Sequence, residues 1–375
     1  MKVEHLTFTR FVAAVLVVIF HLGGSSLDPD SIAGSLLGVG NSAVSYFFAL
    51  SGFILVISSV RDGRLPARLP RATFWRNRFA RIYPLYLVAL GLTIVFGALT
   101  GSDLAEKLTA GPVVASALLV QAWWPEFAMQ LNYPGWSLSV ETLFYGLFPL
   151  LYALVVRQHT KTVLLAAGLC WALSLGIHIA LIDTMHASPA NQHVLHDLAL
   201  YFPLLHLNTF LIGIVTGLVL VRHRARLIQH HQWLTATFVT VLAGSFWIVL
   251  GHLPILQYHH DGLFAPLFAL FILWLSIQEN GFTRWLSRPI PVRLGEISYG
   301  IYLLQVPVGM VTFHLNYYFL HWPVEAYVPV YIGILMITSE IGYRHIEQPA
   351  RRLIRQWTTP VLSAAPIDEQ FSRPA

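Results

Sequence analysis

Eleven apolar runs follow one another along the chain, near residues 7–22, 43–60, 82–100, 111–122, 138–157, 162–182, 201–221, 233–252, 262–278, 298–320 and 327–344. A helix needs roughly 20 mostly apolar residues to cross the hydrocarbon layer of a membrane. Lipid offers no partner for backbone N–H and C=O groups, so such runs fold as helices that satisfy those groups internally. The pattern predicts an all-α fold, a polytopic membrane helical bundle. Composition agrees, with 56% of the 375 residues hydrophobic, 11% charged and a mean hydropathy of +0.63. A soluble domain usually has about a quarter of its residues charged. A soluble enzyme, a disordered chain and a secreted disulfide scaffold are therefore excluded. Cys170 is the sole cysteine, so no internal disulfide can form.

Loop charge orients the bundle, because positive residues stay on the cytoplasmic side. The segment from Arg61 to Arg81 adds Arg64, Arg68, Arg71, Arg76 and Arg78 and holds one acid, Asp62. The preceding loop carries Asp28 and Asp30 and no cation, which reads as external and leaves the N-terminus inside. Arg157 with Lys161, Arg222 with Arg224 and Arg226, Arg284 with Arg288 and Arg293, and Arg344 with Arg351, Arg352 and Arg355 mark further cytoplasmic segments. The chain is then external both near residue 101 and near residue 135. The short run at 111–122 cannot cross once between those points and is expected to be re-entrant or interfacial. The reading that satisfies every loop has about ten transmembrane helices, one such short segment and both termini cytoplasmic. It places a membrane domain over residues 1–350 and a cytoplasmic tail over 351–375. The basic start, the stretch from Phe11 to Phe20 and the small residues at Gly23 to Ser26 also have the outline of a cleavable signal peptide. Polar chemistry at Arg10 and His21 favours a retained span. The net charge of +5 falls in short loops with no soluble domain to form a groove, so nucleic acid is not an expected partner.

Three features inside the apolar pattern carry chemistry. Arg10 and His21 lie eleven residues apart on the first run; eleven steps return to within roughly 20° of the same face and rise about 16 Å. An intramembrane arginine is costly and normally faces a cavity or a polar partner. The alternative for this pair is an arginine that snorkels to the interface and an ordinary helix-end histidine. Glu141, in Trp136-Ser137-Leu138-Ser139-Val140-Glu141, falls at the external start of its span and is expected level with His21. A carboxylate there would fix the imidazole tautomer, as a general base requires; a helix N-terminal acid is the bland reading. The arginine segment, ending Arg76-Asn77-Arg78-Phe79-Ala80-Arg81-Ile82-Tyr83-Pro84, has seven arginines in 21 residues, more than orientation needs. Guanidinium forks suit phosphate, as in a coenzyme A donor or, alternatively, anionic lipid headgroups.

Other patterns carry less. His178 and Asp183 have an H-x4-D spacing but lie at the outer end of a span. His193, His196 and Asp197, and likewise His259, His260 and Asp261, lack a further ligand at helical spacing, so no metal is expected. Gly213 and Gly217 form a small-xxx-small packing pair. No G-x4-GK[ST] phosphate loop occurs, which argues against direct ATP hydrolysis.

From about residue 5 to about residue 350 the chain resembles the integral-membrane acyltransferase-3 family, bacterial enzymes that O-acylate surface glycans and related acceptors. The resemblance rests on Leu6-Thr7-x-x-Arg10 with His21, Phe47-Phe48-Ala49-Leu50-Ser51-Gly52-Phe53, Arg78-x-x-Arg81-Ile82-Tyr83-Pro84, Trp136-Ser137-Leu138-x-x-Glu141-x-x-Phe144-Tyr145, Gly295-x-Ile297-Ser298-Tyr299-x-Ile301-Tyr302-Leu303 and Ile346-Glu347-x-Pro349, in the family's order. It implies a ten-span enzyme of the bacterial inner membrane. Such an enzyme moves an acyl group from cytoplasmic acyl-CoA, acetyl-CoA above all, to a hydroxyl of an envelope polysaccharide or lipid-linked saccharide. By the same resemblance His21 is the catalytic base or acyl carrier, supported by Glu141 and Arg10. Arg76, Arg78, Arg81 and Tyr83 hold the donor, and Ser51, Gly52 and Phe53 line its passage. Two departures stand out: Thr7 occupies a position where many members have Asp, so Arg10 needs another partner, and Gln305 stands in a segment where members often have His. Competing readings are a transporter or flippase using Arg10, His21 and Glu141 as an intramembrane path, and an acyltransferase for a small-molecule acceptor. External loops near residues 23–42, 101–135 and 183–200 are the expected seat of acceptor selectivity.

Overall fold

The computed structural model describes residues 3–23, 28, 30–100, 108–187, 192–253, 255–256 and 262–356. The His259–Asp261 cluster, the chain from residue 357 and parts of the three external loops lie outside the described residues. Among the described residues the protein is all-α, with fifteen α-helices. In order they are α1 (His5–His21), α2 (Ile32–Gly38), α3 (Ala43–Ser59), α4 (Arg71–Thr100), α5 (Ala110–Ala117), α6 (Gly135–Val155), α7 (Thr160–Ala187), α8 (Gln192–Tyr201), α9 (Leu207–Gln229), α10 (His231–Leu250), α11 (Ala265–Ile277), α12 (Gly281–Leu286), α13 (Pro289–Leu315), α14 (Val324–Gly342) and α15 (Gln348–Gln356). Eight helical segments are long and apolar enough to cross a membrane, and α1 and α11 are shorter apolar helices. Together these ten correspond to the ten expected crossings.

The run at 111–122 forms no span. Helix α5 has eight residues, a length of about 12 Å against the roughly 30 Å of a hydrocarbon core. Two residues past its end, Leu119 adopts a left-handed conformation (φ 58°). There the Val120 N–H donates to Ala115 O and the Leu119 N–H to Ser116 O, a Schellman closure that satisfies carbonyls the helix leaves unpaired. Two phenols of α4 add to this closure, Tyr83 donating to Ala117 O at 2.9 Å and Tyr86 to Ser116 O at 2.7 Å. A short helix can thus stay at membrane depth because the neighbouring span supplies its missing hydrogen bonds.

The arginine-bearing loops converge on one end of the bundle. Arg222, on α9, donates to Val156 O and Gln158 O at 2.7 and 2.9 Å, carbonyls at and just past the end of α6, where a cation also suits the helix dipole. Arg224 pairs with Glu279 beyond α11 at 3.0 Å. Tyr152, near the end of α6, donates to Pro66 O at 2.7 Å. In the loop before α4, Arg61 and Arg64 exchange backbone hydrogen bonds around Asp62 and Gly63, both with positive φ, as a tight hairpin turn requires. Helix α15 carries the described chain past residue 350 to Gln356, and Arg351 upon it reaches an internal cavity.

Two close helix crossings set the interior. At α3–α9, a Cβ on Gly52 would lie 2.3 Å from Phe210 O, and one on Gly213 would lie 2.0 Å from Ala49 O. Gly217 faces Val56 in the same seam, as its small-residue spacing anticipated. At α1–α13, a Cβ on Gly295 would fall 2.0 Å from Thr7 O. Backbones approach this closely only where no side chain intervenes, which is how helices associate in lipid. Replacing Gly213 by Leu should cost roughly 1–3 kcal/mol or more through overpacking. Gly168→Ala, with nothing within 4 Å of its Cβ, should stay within about 0.5 kcal/mol. Unfolding midpoints in detergent check both; equal midpoints for the two variants would contradict the packing.

Candidate active site

Helices α1, α3, α4, α6 and α13 line a cavity of about 330 Å³, to which Tyr343 and Arg351 of α15 also contribute. Its polar wall contains Arg10 from α1, Ser51 from α3, Arg78 and Arg81 from α4, Ser137, Glu141 and Tyr145 from α6, and Glu296, Ser298, Tyr299 and Tyr302 from α13. Each helix presents its polar residues on the face turned away from lipid, as the cost of an intramembrane charge demands. Arg10, Arg78 and Arg81, far apart in sequence, share this one space.

The charges in the wall are unequally paired. Arg351 is bound to the buried carboxylate of Glu347 at 2.5 Å, and Glu296 to Arg293 at 3.0 Å. Arg293 is held besides by Glu340 at 2.7 Å. Glu141 accepts hydrogen bonds from Ser51 at 3.1 Å and from the Tyr145 hydroxyl. Arg10, Arg78 and Arg81 form no salt bridge among the described residues. The Arg78 guanidinium lies over the Phe74 and Tyr145 rings at 5.7 and 5.9 Å, and its Nε is buried without a hydrogen-bond partner among the described residues. Three guanidiniums share one polar space with a single wall carboxylate not bound to another cation, Glu141, and the excess of positive charge suits a polyanion such as phosphate.

His21 stands apart from this wall. It ends α1 at the far end of the bundle, where Nδ1 lies 2.9 Å from Gln305 Oε1. Its ring meets the Tyr133 ring edge-on with centroids 4.8 Å apart, and the Phe20 ring at 5.4 Å. Tyr133 lies in the loop before α6, and burial pushes its phenol up to about 12, so it remains neutral at ordinary pH. The cavity ends just below. Tyr302 bonds Ser137 through the two hydroxyls at 2.8 Å and packs against Phe47 at 6.0 Å. Gln305 follows Tyr302 on α13 by three residues, a rise of about 4.5 Å.

Several expected placements change. Glu141 is not beside His21. Its position seven residues into α6 carries it roughly 9 Å below the helix start, into the company of Ser51, Tyr145 and the arginines. Of the Ser51-Gly52-Phe53 stretch only Ser51 lines the cavity. Gly52 faces α9, and Phe53 is fully buried in the core. Tyr83 caps α5 and stacks on Phe79 at 4.5 Å, and Arg76 lies outside the cavity wall. Tyr299, Tyr302, Tyr343 and Arg351 are further wall residues, and the Ser298-Tyr299 and Glu347-x-Pro349 motifs are the signals in the sequence that lie nearest them. His178, the H-x4-D histidine, is a packing joint whose ring nitrogens face Ser174 O and Ala199 O. Among the described residues no three His, Cys, Asp or Glu side chains converge as metal ligands.

A multi-pass membrane protein with a cationic internal cavity and a histidine beyond its far end is the class that fold and site define. The model of the acyltransferase domain matches residues 4–339, and the chain belongs to this acyltransferase family. It is 30% identical over 326 residues to acyltransferase MdmB of Streptomyces mycarofaciens, covering 82% of this chain and 79% of that protein. It is 23% identical over 365 residues to O-acetyltransferase OatA of Staphylococcus aureus strain NCTC 8325 / PS 47, covering 92% of this chain and 56% of the relative. The chain thus spans little more than half the length of OatA. No solved structure matches it.

The cavity wall can be mapped chemically, because Cys170 is the one thiol to remove. In a Cys170→Ser background, Ser51→Cys should react with a small anionic methanethiosulfonate reagent drawn by the arginines. Phe53→Cys, two residues on, should not. Equal labelling, read by mass spectrometry, would contradict the assigned wall.

Proposed function

We propose that the protein is an O-acyltransferase of the bacterial cytoplasmic membrane that moves an acetyl group from acetyl-CoA to a hydroxyl of an envelope or exported polysaccharide. The observation that carries this reading is the cavity where three guanidiniums without a salt bridge among the described residues, Arg10, Arg78 and Arg81, outnumber the one free carboxylate, Glu141, at the arginine-bearing end of a chain from this family. Those groups match the phosphates of a coenzyme A thioester in charge and in fork geometry. Loop charge favours a cytoplasmic position for that end, on the side where the donor would be found. The O-acetyltransferase relative supports acetyl as the group and oxygen as the acceptor atom.

In this reading Arg10, Arg78 and Arg81 hold the phosphate-bearing part of the donor. The thioester arm runs past Ser51 toward the wall formed by Phe47, Ser137 and Tyr302. His21 waits beyond it with Nε2 directed to the acceptor. The acceptor hydroxyl gives its proton to Nε2 while its oxygen bonds to the thioester carbonyl carbon. The carbon–sulfur bond then breaks and the leaving thiolate takes the proton back from the imidazolium, so the histidine is regenerated. Glu141 keeps Ser51 and Tyr145 in place along the passage and lowers the net charge of the cavity by one.

Membrane vesicles supplied with radiolabelled acetyl-CoA should transfer label to glycan. His21→Ala should abolish transfer while leaving the protein in the membrane. Full activity in that variant would overturn the role of His21, and acceptor movement without acylation would favour a transporter. Arg81→Gln and Arg10→Gln should each raise the KM for acetyl-CoA roughly ten- to a hundredfold, the value of a lost charge-assisted hydrogen bond. An unchanged KM in both would remove the donor from this cavity.

A further inference from the structure

We propose that Gln305 is the positioning residue of His21, holding the imidazole in one tautomer with Nδ1 protonated and Nε2 free as the base. This rests on the reading of His21 as the base. The side-chain amide of Gln305 has two neighbours that fix which way it points. Its Nε2 lies 2.7 Å from Tyr302 O, and its Oε1 lies 2.9 Å from His21 Nδ1. A backbone carbonyl only accepts, so the amide atom that meets Tyr302 O must be the NH2 group. The orientation of Gln305 is thereby set, and its carbonyl oxygen must face His21. An amide oxygen is itself only an acceptor, so Nδ1 carries the proton and donates. In the neutral ring Nε2 is then the lone-pair nitrogen.

The surroundings hold this arrangement still. Gln305 is buried, with 3% of its surface exposed, and its backbone carbonyl accepts from the Tyr331 hydroxyl at 2.9 Å. Asn132, in the loop beside Tyr133, donates to Leu303 O at 3.2 Å on the same helix turn. The His21 ring is exposed on one side and meets the Phe20 and Tyr133 rings edge-on on the other, beside its contact with Gln305. His21 Nε2 has no hydrogen-bond partner among the described residues. The same helix turn also joins the histidine to the cavity. Tyr302, whose carbonyl orients Gln305, places its hydroxyl against Ser137 in the cavity wall. Gln305 therefore has a defined role at this end of the bundle, as an uncharged acceptor that orients the ring.

Gln305→Leu removes the acceptor and leaves a similar volume, while Gln305→Glu restores an acceptor. In the vesicle assay Gln305→Leu should lower kcat at least tenfold and leave the KM for acetyl-CoA within twofold. Gln305→Glu should recover kcat to within about threefold of the native protein. Adding Gln305→Leu to His21→Ala should cause no further loss, because the amide acts only through the ring. Three results would overturn the proposal: native kcat in Gln305→Leu, an effect confined to KM, or a Gln305→Glu variant as slow as Gln305→Leu. An active His21→Ala protein would instead overturn the role of the histidine itself, so the two failures are distinguishable.

Discussion

Unneutralised positive charge inside a membrane bundle is the condition on which this architecture turns. A guanidinium at membrane depth is tolerated only where it faces a polar cavity or a partner. Arg10, Arg78 and Arg81 all face the same one. Their convergence requires α1, α4, α6 and α13 to meet around a polar space, which in turn requires the helices behind them to pack without a gap. Gly52, Gly213 and Gly295 allow that approach by having no side chain at the two tightest crossings. The carboxylates nearby are mostly engaged elsewhere, Glu347 with Arg351 and Glu296 with Arg293. The cavity consequently keeps an excess of cations that a polyanionic ligand would complete.

Under the proposed function, labour is divided along the axis of the bundle. Charge recognition belongs to the arginine-bearing end, and proton handling to the far end. They are separated by the Phe47–Tyr302–Ser137 wall and joined by a single turn of α13. That separation suits a donor whose charged portion and reactive carbonyl are far apart in the molecule. It also keeps the imidazole away from the arginines, whose field would oppose its protonation during the reaction.

Much of this was legible in the residues. The eight long and two shorter apolar helices, the short α5 and the arginine-rich end all follow from hydropathy and loop charge, because lipid imposes length and polarity rules segment by segment. The chemistry-bearing types were also visible: Arg10, Arg78, Arg81, Ser51 and Glu141 do meet in one cavity. Glu141 was misplaced beside His21, because a helix start read from sequence does not say how far down the bundle its seventh residue lies. Gly52, Phe53 and Tyr83 belonged to the right motifs but face neighbouring helices. A motif names a stretch, and only one side of a helix can look into a cavity. Arg351 was assigned to a tail since nothing local shows that α15 turns back against the bundle.

The linear sequence by itself determined that this chain is a multi-pass helical membrane protein with too many arginines at one end for topology alone. Each of those statements depends only on neighbours along the chain and on the solvent they must match. The tertiary structure alone decided which charges share a cavity, which stay unpaired, and that Gln305 rather than a carboxylate meets His21. These depend on contacts between residues as much as 284 positions apart, and helix rotation about its axis, invisible to hydropathy, sets them.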